Sequence, residues 1–416
     1  MKTVHKERYA LVGTGGRGIT MYARAILRDY GHCAELVGVF DTNPARMANA
    51  VKWLGSVLEG PAKRTPVRQF TDFDAMLAKA RPDCVIIASR DCTHADYAVR
   101  ALRAGKRVYV EKPLCTTAGQ CREILAAVRD TGGVCLTTHN MRYDAACTSV
   151  RSIIEQGRLG KLRHVVMEDT LDRGHGADYF RRWHSRKANT GGLQIHKSSH
   201  HLDLLNWWID SKPARVFAQG GLRFYGRNNP YHGKHCRGCP HARRCPLYVD
   251  YTRDKLCKLL YFDAEHVDGY WRDGCVWDPA IDIEDQLDVT IAYANGVEVA
   301  YSLVAYAPNE YMRLAIDGTM GRLEYQSPVA GAPETQKLYC PGYPVMDVGV
   351  NRGGGDHGGA DPMLLADFIG RPWDQKPTRQ MASVEEGVQA VLIGAAINKS
   401  LATGGTVDVQ ALLERG

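Results

Sequence analysis

The run Gly13-Thr14-Gly15-Gly16-Arg17-Gly18 constrains this chain more than any other feature. It follows the apolar stretch Tyr9-Ala10-Leu11-Val12 and opens a segment, residues 19–27, that suits a helix. Strand, glycine-rich turn and helix in that order make a phosphate cradle. Gly13 permits the tight turn out of the strand, Gly15 lets the backbone approach a pyrophosphate, and Gly18 lets the helix pack close to the sheet. The helix start, with the Gly16 and Arg17 amides, then faces the phosphates with partial positive charge. Asp41 closes the next apolar run and would accept hydrogen bonds from an adenosine ribose. A carboxylate there repels a 2′-phosphate, which favours NAD over NADP.

The same rhythm continues. Apolar runs at residues 35–40, 84–88, 107–110 and 134–137 alternate with amphipathic stretches at 73–79, 95–104 and 118–128. That is the pattern of a doubly wound parallel sheet, so an α/β nucleotide-binding domain of Rossmann type is expected over residues 1–138. Beyond Gly157-Arg158-Leu159-Gly160-Lys161 the period changes. Residues 162–169, 215–220, 286–293, 297–306 and 311–317 read as longer strands, and Asn295-Gly296 between two of them is a hairpin signal. A second α/β domain, 139–416, is therefore expected to carry a large, open, mostly antiparallel sheet, with helices at 362–369 and 384–401. The face left bare by helices needs cover, and a second copy of the chain, in a homodimer or homotetramer, is the expected one.

A length of 416 residues agrees with two cores rather than one. The formal charge of +7, from 53 basic and 46 acidic residues, is mixed along the chain without a sustained basic run. It suits small anionic ligands and not nucleic acid. No stretch reaches the roughly 18 to 20 apolar residues of a membrane helix, and residues 1–8 lack the pattern of a secretory signal. Thirteen cysteines, an odd number, are then expected as reduced thiols in a cytoplasmic enzyme.

If residues 195–209 form one helix, His196, His200 and Asp203 share a face at spacings of four and three, with Lys197 beside them and Leu202, Leu205 and Ile209 opposite. So many ionisable groups on one side suit a cleft. The two histidines are spaced for zinc, but Lys197 stands where a hydrolytic zinc helix carries glutamate, and it repels a cation.

At Ala104-Gly105-Lys106-Arg107-Val108-Tyr109-Val110-Glu111-Lys112-Pro113 the chain resembles the glucose-fructose oxidoreductase / inositol dehydrogenase / rhizopine-catabolism (Gfo/Idh/MocA) family. The resemblance extends through Thr93-His94, Gly157–Lys161, Gly191-Gly192, the motif His200-His201-Leu202-Asp203 and Gly358–Asp361. It implies a Rossmann domain followed by an α/β domain with an open sheet, the active site lying between them, and hydride transfer between NAD(P) and a ring hydroxyl or carbonyl of sugars and cyclitols. It further implies that Lys112 contacts both nicotinamide and the reacting oxygen, that His200 is the general acid/base, and that Ser89, His94 and Glu111 belong to the cofactor side. The chemistry is sound on its own terms, since alcohol oxidation needs a base for the hydroxyl proton and a cation beside the developing alkoxide.

Two positions depart from inositol dehydrogenase-like members. His196 replaces a substrate-binding aspartate, with Lys197 beside it, and Ser89-Arg90-Asp91 lacks the usual proline, which leaves Arg90 available to a carboxylate or phosphate. Lys197, His196 and Asp203 are expected to orient substrate and tune His200. Tyr143, Arg142, His184, Asp356 and His357 are further pocket candidates.

An insertion at about residues 225–276 contains Cys236-x2-Cys239-x5-Cys245, with Gly238, Pro240 and Pro246 allowing a knuckle. With Cys275, Cys257 or His241 as a fourth ligand, Cys275 being preferred, these thiolates would suit a structural zinc site, and reduced buried thiols are the competing reading. The expected activity is an NAD-dependent oxidoreductase of a carbohydrate or cyclitol. The competing one is redox-neutral glycoside cleavage through a transient 3-keto intermediate, which the surplus of ionisable groups would serve.

Overall fold

In the computed structural model, which describes residues 6–350, 356–369 and 380–414, the first sheet is built from short strands buried on both faces. With β15 (Ala382–Ser383) at one edge, its order is β15-β6-β5-β4-β1-β2-β3. β1 (Glu7–Val12), β2 (Ala34–Phe40), β3 (Gln69–Phe70), β4 (Cys84–Ile87), β5 (Arg107–Glu111) and β6 (Cys135–Thr138) are parallel, as continuous apolar runs such as Cys84-Val85-Ile86-Ile87 require. The helix after β1 winds as a π-helix over Gly18–Ala23 before tightening at Arg24–Arg28, where a regular α-helix is expected from the sequence.

The second sheet has nine strands in the order β14-β13-β12-β11-β7-β10-β9-β8-β16. They are β7 (Leu162–Asp172), β8 (Pro213–Gly221), β9 (Gln286–Tyr293), β10 (Glu298–Ala307), β11 (Tyr311–Gly318), β12 (Arg322–Gln326), β13 (Thr335–Tyr339), β14 (Met346–Asp347) and β16 (Val407–Asp408). Only the β7–β10 pair is parallel. Burial alternates along β9 and β10, with one face sealed and the other half-exposed. The helices Ser199–Ile209 and Val384–Thr403 cover the sealed face, the latter begun by a capping box between Ser383 and Glu386.

Late in the chain the polypeptide returns to the first sheet. The helix Ala360–Phe368 sets Phe368 against Tyr109, ring centroids 4.4 Å apart, and β15 (Ala382–Ser383) adds an antiparallel edge beside β6. Among the described residues no helix is long and apolar enough to cross a membrane.

Candidate active site

The parallel strands end at one rim, where ligands gather in open α/β sheets. Gly13, at φ +94°, could not carry a side chain, since a Cβ would stand 2.5 Å from the Ala88 carbonyl oxygen, and one on Gly18 would stand 2.3 Å from the Gly13 oxygen. The loop is thus pressed against the sheet, and the residues fit a dinucleotide cradle. Asp41 supports the loop directly: Oδ2 accepts from Thr14 N (2.9 Å) and Thr14 Oγ1 (2.7 Å), and Oδ1 from Asn43 N (2.8 Å). The Arg17 guanidinium turns away to Glu111 (2.6 Å) and Asp361 (2.7 Å), so its backbone alone is left facing the cradle.

Glu111 closes β5, where its carboxylate also accepts from Tyr22 Oη and from the Lys112 amide. Burial pushes that carboxyl up, but Arg17 outweighs it and holds the pKa below the usual value. The next peptide, Lys112–Pro113, is cis. His94 Nδ1 lies 2.8 Å from the Pro113 oxygen and Nε2 3.3 Å from the Ser89 oxygen, while Ser89 Oγ pairs with Thr93. Ser89 and His94 therefore tie two loops together around Lys112. Lys112 Nζ donates to the His196 carbonyl oxygen at 3.1 Å, which joins the two halves of the site.

The expected continuous helix over residues 195–209 is broken. Leu193–His196 and Ser199–Ile209 are separate helices, and Lys197-Ser198 between them redirects the chain. His196 consequently leaves the face of His200 and Asp203. Its Nδ1 lies 2.5 Å from Oδ2 of Asp91, a buried acid just beyond β4. Burial pushes the Asp91 carboxyl up and the His196 imidazole down, and both shifts favour an uncharged pair. Around His196 stand His184, Trp183 and Tyr179, at centroid distances of 4.3, 5.8 and 5.5 Å. His200 is desolvated and flanked by Lys112 and Lys197, which holds its pKa well below the ordinary value. Its Nδ1 has no hydrogen-bond partner among the described residues.

Asp203 is sealed from solvent. It receives a two-pronged bond from Arg142, 2.7 Å on each side, in a site closed to solvent, and Arg142 reaches on to Glu386. Tyr143 is likewise turned aside, its hydroxyl donating to Asp367 at 2.5 Å. Lys197 pairs with Asp169 at 3.9 Å, and His201 lies 3.5 Å from the same carboxylate. The side chains of Asp356 and His357 lie outside the described residues.

The zinc expectation is not met: among the described residues no three histidine, cysteine, aspartate or glutamate side chains gather to hold a metal ion. Cys236, Cys239, Cys245 and Cys275 do line one cavity, but the Arg181 guanidinium donates to Cys236 Sγ at 3.6 Å and brings its own positive charge there. Burial also raises the Cys236 and Cys275 thiols and keeps them protonated. The thirteen cysteines form no disulfide among the described residues.

Two family profiles match this chain, the oxidoreductase family NAD-binding Rossmann fold over residues 7–139 and the oxidoreductase family C-terminal α/β domain over 151–409. The chain belongs to the Gfo/Idh/MocA oxidoreductase family. Within it, the chain is 30% identical to "Putative oxidoreductase YteT" of Bacillus subtilis over 97% of both chains. It is also 30% identical to an inositol 2-dehydrogenase of Rhizobium meliloti, over 52% of this chain and 58% of that one. Levoglucosan dehydrogenase in complex with NADH and levoglucosan has the same fold, with TM-score 0.69, 20% identity, and coverage of 97% of this chain and 100% of that one. So does the WlbA dehydrogenase of Bordetella pertussis with NADH and UDP-GlcNAcA, at TM-score 0.66, 19% identity, and coverage of 97% and 99%.

Against this Gfo/Idh/MocA background, sequence reasoning missed Asp91 and Asp169. Asp91 had a signal, being an acid directly after a buried parallel strand. Asp169 had a weaker one, as an acid at the end of the expected strand 162–169.

Proposed function

We propose that this chain is an NAD-dependent oxidoreductase that moves a hydride between nicotinamide and a ring hydroxyl or carbonyl of a sugar, glycoside or cyclitol. The observation that carries the reading is Lys112, bonded to the His196 carbonyl oxygen beside a neutral His200 with an unpartnered ring nitrogen. Gly13, Gly15, Gly16, Gly18 and the backbone of Arg17 would hold the diphosphate, and Asp41 the adenosine ribose. Bound nicotinamide supplies the hydride acceptor or donor. His200, kept neutral by burial and two lysines, takes the hydroxyl proton, and the Lys112 ammonium steadies the charge that grows on the oxygen. Trp183, Tyr179 and His184 offer aromatic faces for the C–H side of a ring, and Lys197 a donor for its hydroxyls. Relatives that act on inositol and levoglucosan support this substrate class. The half-exposed face of the large sheet supports a homodimer or homotetramer, and cysteines without a disulfide support a cytoplasmic setting.

A second reading, redox-neutral cleavage of a glycoside through a transient 3-keto intermediate, is favoured by the Asp91–His196 pair. That pair is a second proton-transfer group on the substrate side, which simple alcohol oxidation does not need. Proton NMR of the protein with NAD and a mixed panel of glycosides and cyclitols in D2O separates the two. A ketone appearing with NADH supports the dehydrogenase. Aglycone release or deuteration beside the carbonyl carbon, without net NADH, supports the second reading. Neither outcome with any member of the panel counts against both.

A further inference from the structure

The connection from β8 to β9 is far longer than a turn, and its middle leaves its own domain to lie across the glycine-rich loop. Tyr261 is the point of contact: its hydroxyl oxygen accepts the Gly16 amide at 2.9 Å. A Cβ on Gly15 or Gly16 would meet that same oxygen, at 3.5 and 3.4 Å. The contact is anchored on the far side of the adenosine region. Asn49 and Asn43 donate to the carbonyl oxygens of Leu259 (2.8 Å) and Ala264 (2.9 Å), and Arg46 pairs with Asp268 at 2.6 Å while also approaching Asp41. Leu260 is buried in the apolar cluster of the nucleotide-binding domain.

Two arginines stand at this junction. Arg272 stacks over the Tyr261 ring at 4.4 Å and Arg90 over the Tyr270 ring at 5.9 Å. Arg272 has a long hydrogen bond to the Tyr270 hydroxyl at 3.5 Å, and neither arginine forms an ion pair among the described residues. Arg272 thus stands beside the phenol that holds the Gly16 amide, and that amide serves phosphates in this fold. Guanidinium recognises phosphate oxygens with charge-assisted, paired hydrogen bonds.

We infer that the β8–β9 connection is a cover over the cofactor's diphosphate, in which Tyr261 and Arg272 bind the phosphates from the side opposite the glycine loop and the Arg46–Asp268 pair latches the cover shut. This rests on the reading of the loop as a dinucleotide site. Tyr261 holds the Gly16 amide in place of a phosphate oxygen, so the cover lifts before the dinucleotide enters and again before it leaves. The consequence is slow exchange of NAD(H), with the cofactor retained between turnovers.

The test is stopped-flow fluorescence of NADH with the full-length protein, association read directly and dissociation read by displacement with excess NAD. Arg272→Ala and Tyr261→Phe should speed dissociation by about ten- to a hundredfold, the loss expected for hydrogen bonds to a charged group. Asp268→Asn, which is remote from the phosphates, should speed both association and dissociation, as an opened latch does. Circular dichroism and thermal unfolding confirm that each variant is folded. All three variants within about twofold of wild type in both rates would overturn the cover while leaving the dinucleotide site standing. Absence of NADH binding by the wild-type protein would overturn the dinucleotide reading itself, and the cover with it.

Discussion

At the scale of single residues, the site depends on groups whose charge is set by what they touch. Arg142 and Asp203 show this most sharply, since both are sealed from solvent and each is the other's main compensation. Removing one charge from such a pair strands the other in a low-dielectric setting. Asp203→Asn is expected to lower stability by about 3 kcal/mol or more in urea unfolding, while Asp203→Glu should recover part of it. A loss of turnover with unchanged stability would instead return Asp203 to the substrate side. The aspartate of the His-x-x-Asp motif was legible as important from the sequence, but its partner was not, because Arg142 lies some sixty residues earlier and no local spacing links them. The same holds for Asp91 and His196, and for Lys197 and Asp169. Sequence shows which groups can ionise, and only folding decides which of them neutralise one another.

At the scale of elements, periodicity served where burial follows a simple rule. Strands buried on both faces and helices with one apolar stripe were readable within a few residues, including β9 and the hairpin at Asn295-Gly296. The broken helix at Lys197-Ser198 was not, because Lys197 and Ser198 have no helix-breaking character of their own. Ser198 instead accepts a hydrogen bond from Tyr301 of β10, and Lys197 reaches Asp169 of β7, so tertiary contacts bend a stretch that local propensity would leave straight. The outer strands β12 to β14 and β16 were not readable either, because their runs are largely polar, as in Arg322-Leu323-Glu324-Tyr325-Gln326 and Thr335-Gln336-Lys337-Leu338-Tyr339. The histidines packed here give the element scale its own prediction. Burial lowers His139 and His201 from 6.5 to about 4. Between those values the unfolded chain binds protons that the folded chain refuses, so stability is full above about pH 6.5 and is lost as pH falls towards 4. Thermal unfolding at pH 7 and pH 5 should show the drop, and His139→Gln should flatten it. Equal melting temperatures at the two pH values would mean that these rings are hydrated in the native state.

At the scale of the whole molecule, the two sheets are not independent units strung on a linker. The helix Ala360–Phe368 returns to the first sheet, where Phe368 packs on Tyr109 and Tyr22 and Asp361 holds Arg17. The β8–β9 connection also docks on this domain, through Tyr261 on Gly16 and Leu259 on Asn49. The rim that carries the glycine-rich loop is therefore completed by late sequence, which a reading domain by domain along the chain could not anticipate. Phe368→Ala is expected to cost about 3 to 5 kcal/mol as a core truncation and to weaken NADH binding through the displaced Asp361–Arg17 contact. Retention of wild-type stability and affinity would show that the returning helix is an ornament. The proposed chemistry rests on Lys112 and His200, which would couple proton transfer to hydride transfer. It is tested most directly by comparing turnover of Lys112→Met and His200→Asn with wild type, on the ring alcohol identified by the NMR panel, while NADH affinity is followed by fluorescence. A fall in kcat of about a hundredfold or more is expected for each variant, with NADH affinity changed by no more than a few fold. Full turnover by His200→Asn would contradict it.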